Sequence, residues 1–184
     1  PSLLGDDEIA ALGRISKTRG ARASGSTLKC SAVRVEEYAL VPNSCGAGRW
    51  RGGLGLSRSY RVLSKEAGLQ LRADRMRFRP YGLQGGTEAL GAINTLVQPN
   101  GEGESLPSKV NRTMYEGELI HHVQPGGGGF GDPMTREPSR VAADVWNEKI
   151  SAVYAREEHG VVVDQVTGEL DVAGTANLRD SLRK

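Results

Sequence analysis

The segment Pro125-Gly126-Gly127-Gly128-Gly129-Phe130-Gly131-Asp132-Pro133 separates two kinds of sequence, and its reading decides the fold. Before it, Glu118 to Gln124 (ELIHHVQ) reads as extended chain. After it, from Pro138, apolar residues recur at helical spacing almost to the end. Four consecutive glycines give a backbone with free access to positive φ, at about 0.5–1 kcal/mol of extra chain entropy each relative to alanine. Such a run wraps closely around something or turns a tight corner, and a packed corner between a sheet and a helical tail accounts for it as well as a ligand does. Phe130 offers an anchor for a core, Asp132 a carboxylate or a cap, and the two prolines fence the ends. A phosphate-cradling loop is excluded, because Gly131 is followed by Asp-Pro rather than Lys-Ser/Thr opening into a helix. The dinucleotide pattern fails too, since no G-x-G-x-x-G opens a helix with an acidic residue about 20 positions on.

Working backwards, the chain reads as short strands joined by glycine-rich crossings. Val33 to Tyr38, in a strand ended by Pro42 and Asn43, and Leu56 to Leu63 alternate in character, and Leu69 to Phe78 places Leu69, Leu71 and Ala73 on one side with Arg72 and Asp74 on the other. Ile93 to Val97 is a short apolar strand, Leu106 to Thr113 is extended, and Leu119 to Val123 leads into the central run. Asn100-Gly101 and Glu116-Gly117 are turn signals. Two further glycine-rich stretches, Cys45 to Gly55 (CGAGRWRGGLG) and Tyr81 to Gly91, interrupt this pattern.

Working forwards, Pro138 suits a first helical turn, and Val141, Val145, Trp146 and Ile150 are expected on one side of the helix it opens. Ser151 caps a second helix that stops at Gly160, Val161 to Val163 is a short strand, and Asp171 to Arg183 is a third helix with Leu178 and Leu182 inward. Strands followed by helices, rather than alternating with them, predict an α+β fold: a β-rich layered sheet of short strands with glycine-rich loops, followed by a helical C-terminal tail. The expected organisation is a flexible segment at 1–30, a β-rich part at 31–133, and a helical tail at 134–184 packed on the same core. Residues 14–26 (RISKTRGARASGS) are basic, small and without aromatics for base stacking, so a solvated tail is favoured over a nucleic-acid arm.

Composition agrees with this picture. Glycine contributes 25 of 184 residues, about twice the usual share of ~7%. A formal net charge of +2 gives no global field for nucleic acid or membrane. No apolar run reaches the ~18 residues of a membrane span, and no secretory leader is legible. Cys30 and Cys45 are too few for a disulfide scaffold, so free thiols and a cytoplasmic setting are expected. The first residue is proline rather than methionine, as a processed or cut piece would have.

The candidate chemistry is sparse. His121 and His122 are adjacent on a strand and point to opposite faces, so they do not share a metal without a bulge, and a hydrogen-bonded structural role suits them. His159 closes a helix, where partial positive charge is favoured. No Cys/His spacing resembles a zinc site, and no H-E-x-x-H or G-x-S-x-G occurs. Arg49, Arg51, Arg72, Arg75, Arg77 and Arg79 are dense enough to contact a substrate or partner anion. Ion pairs with Glu36, Glu37 and Asp74 explain them equally well.

Five stretches together resemble one family: VRVEEYAL (33–40), GAGRWRGGLG (46–55), RADRMRFRPYGLQGG (72–86), LPSKV (106–110) and PGGGGFGDP (125–133). They look like the C-terminal region of hydantoinase B subunits, a family that includes the matching half of 5-oxoprolinase and the α subunits of acetone carboxylases. DVWNEKISAVYAREEHGVVVD (144–164) is similar to that family's ending, so the resemblance covers about 31–184 and leaves 1–30 unmatched. It implies ATP-dependent opening of a cyclic amide such as a hydantoin or 5-oxoproline. In that scheme an A-type ATP-binding subunit or domain phosphorylates the substrate with ATP and magnesium. The B-type part then completes hydrolysis with a divalent metal held by its N-terminal region, which this chain lacks. No metal ligand carries over, and the chain alone is expected to bind no cofactor and to be inactive. The expected partners are the A-type subunit and the missing N-terminal part of the B-type subunit, with no nucleic acid and no membrane. The candidate site residues are Asp132 as the catalytic carboxylate, with Gly126, Gly127, Gly128, Gly129, Arg49 and Arg51 shaping the loop or contacting substrate. The competing reading is a non-catalytic assembly fragment of such a complex, or of an acetone carboxylase-like enzyme.

Overall fold

The structure is a computed structural model and describes residues 32–182. The expectation of a flexible segment at 1–30 lies outside the described residues. The chain is α+β and forms two compact units, one from residues 32–39, 56–74 and 93–123, the other from 40–55, 75–92 and 124–182.

The first unit is built of strands. A five-stranded sheet has the order β1 (Val33–Val41), β2 (Gly55–Val62), β7 (Leu119–Val123), β4 (Ile93–Val97) and β5 (Gly103–Ser105). Strand β7 lies antiparallel between β2 and β4, with His121 opposite Ser59 on one side and Thr95 on the other. Strands β3 (Glu66–Arg72) and β6 (Lys109–Tyr115) form a separate antiparallel ribbon, pairing Leu71 with Val110. Val62, Leu71, Leu96, Leu106, Met114 and Ile120 are buried in this unit. A cavity of ≈ 170 Å³ lined by Val62, Ala67, Leu69, Met114 and Ile120 separates the ribbon from the sheet.

The turn signals are realised with the expected backbone. Gly117 takes φ 85° while Glu118 N–H donates to Tyr115 O at 3.1 Å, as a type II turn requires. Gly101 takes φ 90° as its amide donates to Gln98 O at 2.9 Å. Two strands differ from expectation. The third ends at Arg72 instead of Phe78, because Arg75 adopts φ 67° and turns the chain away. The stretch expected from Leu106 to Thr113 starts its pairing only at Lys109, since Pro107 has no amide for a ladder.

The second unit carries the helices. A short 3₁₀ turn (Pro133–Thr135) precedes α1 (Pro138–Trp146), α2 (Ala152–His159) and α3 (Val172–Leu182). Strands β8 (Val162–Val163) and β9 (Leu170–Asp171) pair between α2 and α3, and β9 carried no signal in the sequence. Pro138 occupies the first turn of α1, Ser151 Oγ caps α2 by accepting from Tyr154 N–H at 3.1 Å, and Gly160 ends α2 at φ 60°. The core of this unit is Cys45, Val141, Ala142, Val145, Ile150, Ala155, Val161 and Val163, with Leu54 and Tyr154 packed against it. Trp146 was expected on the buried side of α1 but is 65% exposed. It falls a step round from Val145 and lies against Gly168. Leu182, also expected inward, is half exposed at the end of α3. Among the described residues no helix is long and apolar enough to cross a membrane.

Candidate functional site at the glycine web

The three glycine-rich stretches meet in the second unit and bond through their backbones. Gly126 N–H donates to Leu90 O (3.1 Å) and Gly129 N–H to Thr87 O (3.0 Å), both on the 81–91 stretch. Gly127 N–H donates to Gly53 O (2.8 Å) and Phe130 N–H to Trp50 O (2.9 Å), both on the 45–55 stretch. Amides three residues apart therefore reach the same neighbour. A repeat of three is that of a polyproline II helix, which satisfies none of its own amides and must bond outward. Acceptors close the web: Gly127 O takes Gly46 N–H (2.8 Å) and Gly129 O takes Leu83 N–H (2.9 Å).

The four glycines thus serve close approach, not the positive φ that their freedom suggested. None of Gly126 to Gly129 has positive φ, and within the run only Gly131 does, at 76°. A methyl group on Gly126 would strike Ser44 O, on Gly128 Tyr81 O, and on Gly129 Ala47 O, all backbone atoms of this same unit. Gly127 is less tight, its added Cβ meeting Gly53 N at 3.0 Å. On the 81–91 stretch, Gln84 (φ 53°) and Gly85 (φ 90°) make the hairpin turn that returns the chain, closed by Gly86 N–H to Leu83 O at 3.0 Å.

Beside the web lies a buried ion-pair cluster. Arg51 grips Asp144 bidentately, Nε to Oδ2 at 2.8 Å and a terminal nitrogen to Oδ1 at 2.9 Å. Arg136 adds a bond to Oδ2 at 2.8 Å and a second to the Arg49 carbonyl at 3.1 Å. Burial works to raise the Asp144 carboxyl, but the Arg51 and Arg136 bonds outweigh it and leave the group below its ordinary value. Arg51 is therefore engaged with Asp144, while Arg49 beside it is exposed. Asp132 is exposed and caps the 3₁₀ turn, its Oδ1 accepting from Met134 N–H at 2.8 Å. The web brings Gly126 to Gly129 against the 45–55 stretch, where Arg49 N–H donates to Gly131 O at 3.1 Å. Arg79 pairs with Glu88, and Glu36 takes Arg61 and Arg34 in place of the arginines expected.

The histidines divide in environment. His159 was expected to carry partial positive charge at the end of its helix. It is fully buried, and burial pulls its imidazole down to about 4, so the ring is neutral near pH 7. Its Nδ1–H donates to Pro133 O at 3.3 Å, and Nε2 is buried without a partner. Desolvation of the cation outweighs the helix-end field here. In the first unit His121 Nδ1 lies 2.9 Å from Ser59 Oγ, which donates to Glu37 at 3.0 Å. His122 Nδ1 lies 2.6 Å from buried Asn94 Oδ1 on the opposite face. Among the described residues no three His, Cys, Asp or Glu side chains converge as a metal site.

Sequence reasoning missed Asp144 and Arg136. One signal was available: Asp144 interrupts the apolar stripe of α1 next to Val141 and Val145, and an acid there needs a buried cationic partner.

Comparison with known proteins follows this architecture. A family model described as hydantoinase B/oxoprolinase matches residues 29–133. The caprolactamase subunit beta of Pseudomonas jessenii is 34% identical over 160 residues, spanning 78% of this chain and 25% of that protein. A 5-oxoprolinase of Dictyostelium discoideum is 33% identical over 99 residues, spanning 54% of this chain and 8% of that protein. The crystal structure of the ATP-dependent caprolactamase from Pseudomonas jessenii superposes with a TM-score of 0.71 at 31% identity, covering 84% of this chain and 27% of that one. The chain thus spans about a quarter of the length of the caprolactamase subunit it matches. With its family model covering residues 29–133 and its fold recurring in that relative, the chain belongs to the hydantoinase B/oxoprolinase family.

Proposed function

We propose that the chain supplies the C-terminal quarter of a B-type subunit that takes part in ATP-dependent hydrolytic opening of cyclic amides, hydantoins or 5-oxoproline among them. An A-type subunit or domain with ATP and magnesium transfers the terminal phosphoryl group to the amide oxygen. Water then adds at the activated carbon, the ring C–N bond breaks and phosphate leaves. The observation that carries this reading is the glycine web, whose three stretches all lie within the span matched by the family model. In it, Gly126 to Gly129 set a backbone scaffold with no room to breathe, and Arg51, held by Asp144, fixes the direction of the 45–55 stretch. Exposed Arg49 and Asp132 are the groups this scaffold offers to an anionic or polar substrate completed by other segments. The remaining donors, the metal ligands above all, come from elsewhere in the complete subunit.

The isolated chain is accordingly expected to hydrolyse neither 5-oxoproline nor hydantoin, with or without ATP, magnesium and manganese. Release of ADP and ring-opened product is the quantity to follow. Metal-dependent turnover by the isolated chain, lost on chelation, would show that it carries a full site.

A further inference from the structure

One surface of the web is left without cover. Trp50 and Phe130 form an antiparallel hydrogen-bonded pair, with Trp50 N–H to Phe130 O at 3.0 Å and Phe130 N–H to Trp50 O at 2.9 Å. Leu83 bridges the other side of Phe130 in parallel, its amide on Gly129 O and its carbonyl on Gly131 N–H, both at 2.9 Å. Bridged residues direct their side chains to the same side of a pleated ribbon, so these three make one row across three segments. They are 52%, 48% and 55% exposed in that order. The web has no slack with which to fold over them, because the glycines on either side are already in backbone contact. Scattered apolar residues are ordinary on a surface, but a contiguous row of Trp, Phe and Leu on rigid backbone marks an interface. At its Trp50 end the Arg140 guanidinium stacks over the indole at 5.6 Å while pairing with Glu137 at 3.7 Å, and Arg49 is exposed next to it.

We infer that the Trp50–Phe130–Leu83 row is the seat for the preceding three quarters of a B-type chain, which presents an apolar recess with a carboxylate facing the Trp50 end. This rests on the reading above. The occupant follows from length and charge. The matches to the Pseudomonas jessenii caprolactamase cover 25–27% of its chain, which leaves about three times as much polypeptide available to cover the row. Arg140 already has Glu137 at 3.7 Å, so it is the exposed Arg49 that calls for an acidic counterpart, which steers docking as well as fixing its register.

The probe is the caprolactamase subunit beta of Pseudomonas jessenii truncated of its C-terminal quarter, mixed with this chain. Trp146→Phe leaves Trp50 as the chain's single tryptophan, so its emission reports the row itself. The expected result is a blue shift of Trp50 emission and a 1:1 complex in light scattering. The triple variant Trp50→Ser/Leu83→Ser/Phe130→Ser, checked by its melt to be folded, is expected to bind at least tenfold more weakly. If the single variant Leu83→Ser alone is folded, it should weaken binding in the same direction. Equal binding by wild type and triple variant would overturn the assignment of the row and leave the functional reading standing. Absence of any complex with folded wild type would instead count against the functional reading itself. A dimer of the chain alone that the triple variant abolishes would make a second copy the occupant and overturn the inference.

Discussion

Gly128 and Gly53 separate two uses of glycine within one web. Both have non-positive φ, so alanine is conformationally admissible at either. At Gly128 the added methyl would collide with Tyr81 O, whereas at Gly53 nothing lies within 4 Å. Overpacking against backbone costs about 1–3 kcal/mol, while glycine to alanine at an open, compatible position stabilises by about 0.4–1 kcal/mol through the unfolded chain. Gly128→Ala is therefore expected to lower Tm by roughly 5–10 °C, with Gly53→Ala unchanged or slightly raised. Paired thermal melts check this. Equal melting of the two variants would mean that the web opens readily and that close approach does not explain its glycines.

At the scale of elements, α2 and its surroundings hold a buried titrating group. The His159 ring is approached by Arg136, Asp144 and Arg179 and stacks at a tilt 6.1 Å from Tyr154. Its pKa of about 4 in the fold lies below the ordinary value of 6.5. Between those values the unfolded chain binds the proton and the folded chain does not, so stability is complete above pH 6.5 and falls as pH drops toward 4. At pH 4.5 the loss due to this one group is about 2–3 kcal/mol. Melts of wild type and His159→Gln from pH 7.5 to 4.5 are expected to converge as the solution is acidified, because only the wild type carries this term. Parallel curves would contradict the burial account. The same elements show what the sequence made legible. Caps and stops were readable because they are local: Ser151, Gly160 and Pro138 each act on their own turn. The α+β order was readable because period two gives way to period 3.6 at the glycine run. Strand β9 was not, since two residues carry no periodicity. Trp146 was misplaced because helical spacing cannot say how wide the buried stripe is. The web itself escaped, because the partners of Gly126 to Gly129 lie from 36 (Gly126 and Leu90) to 81 (Gly127 and Gly46) residues away and glycine carries no side chain to signal which neighbour it meets. Of the candidate residues, Arg51 found a partner in Asp144 that only the folded chain brings near.

At the scale of the whole molecule, the decisive quantity is how much of its relatives' length the chain spans. It contains the web and the arginine–aspartate cluster, and its match to the caprolactamase subunit takes in 25% of that protein. A segment that merely decorates an enzyme can be deleted without loss of chemistry. A segment that completes one cannot, and supplied separately it should restore what its removal abolished, provided the two parts find each other. The direct measurement is ATP-dependent ring opening of caprolactam by the Pseudomonas jessenii enzyme whose subunit beta lacks its C-terminal quarter, with and without this chain added. The account predicts no turnover without the chain, and turnover that rises with chain concentration and saturates when it is present. Full activity of the truncated enzyme on its own, or no recovery despite a complex formed between folded partners, would contradict it.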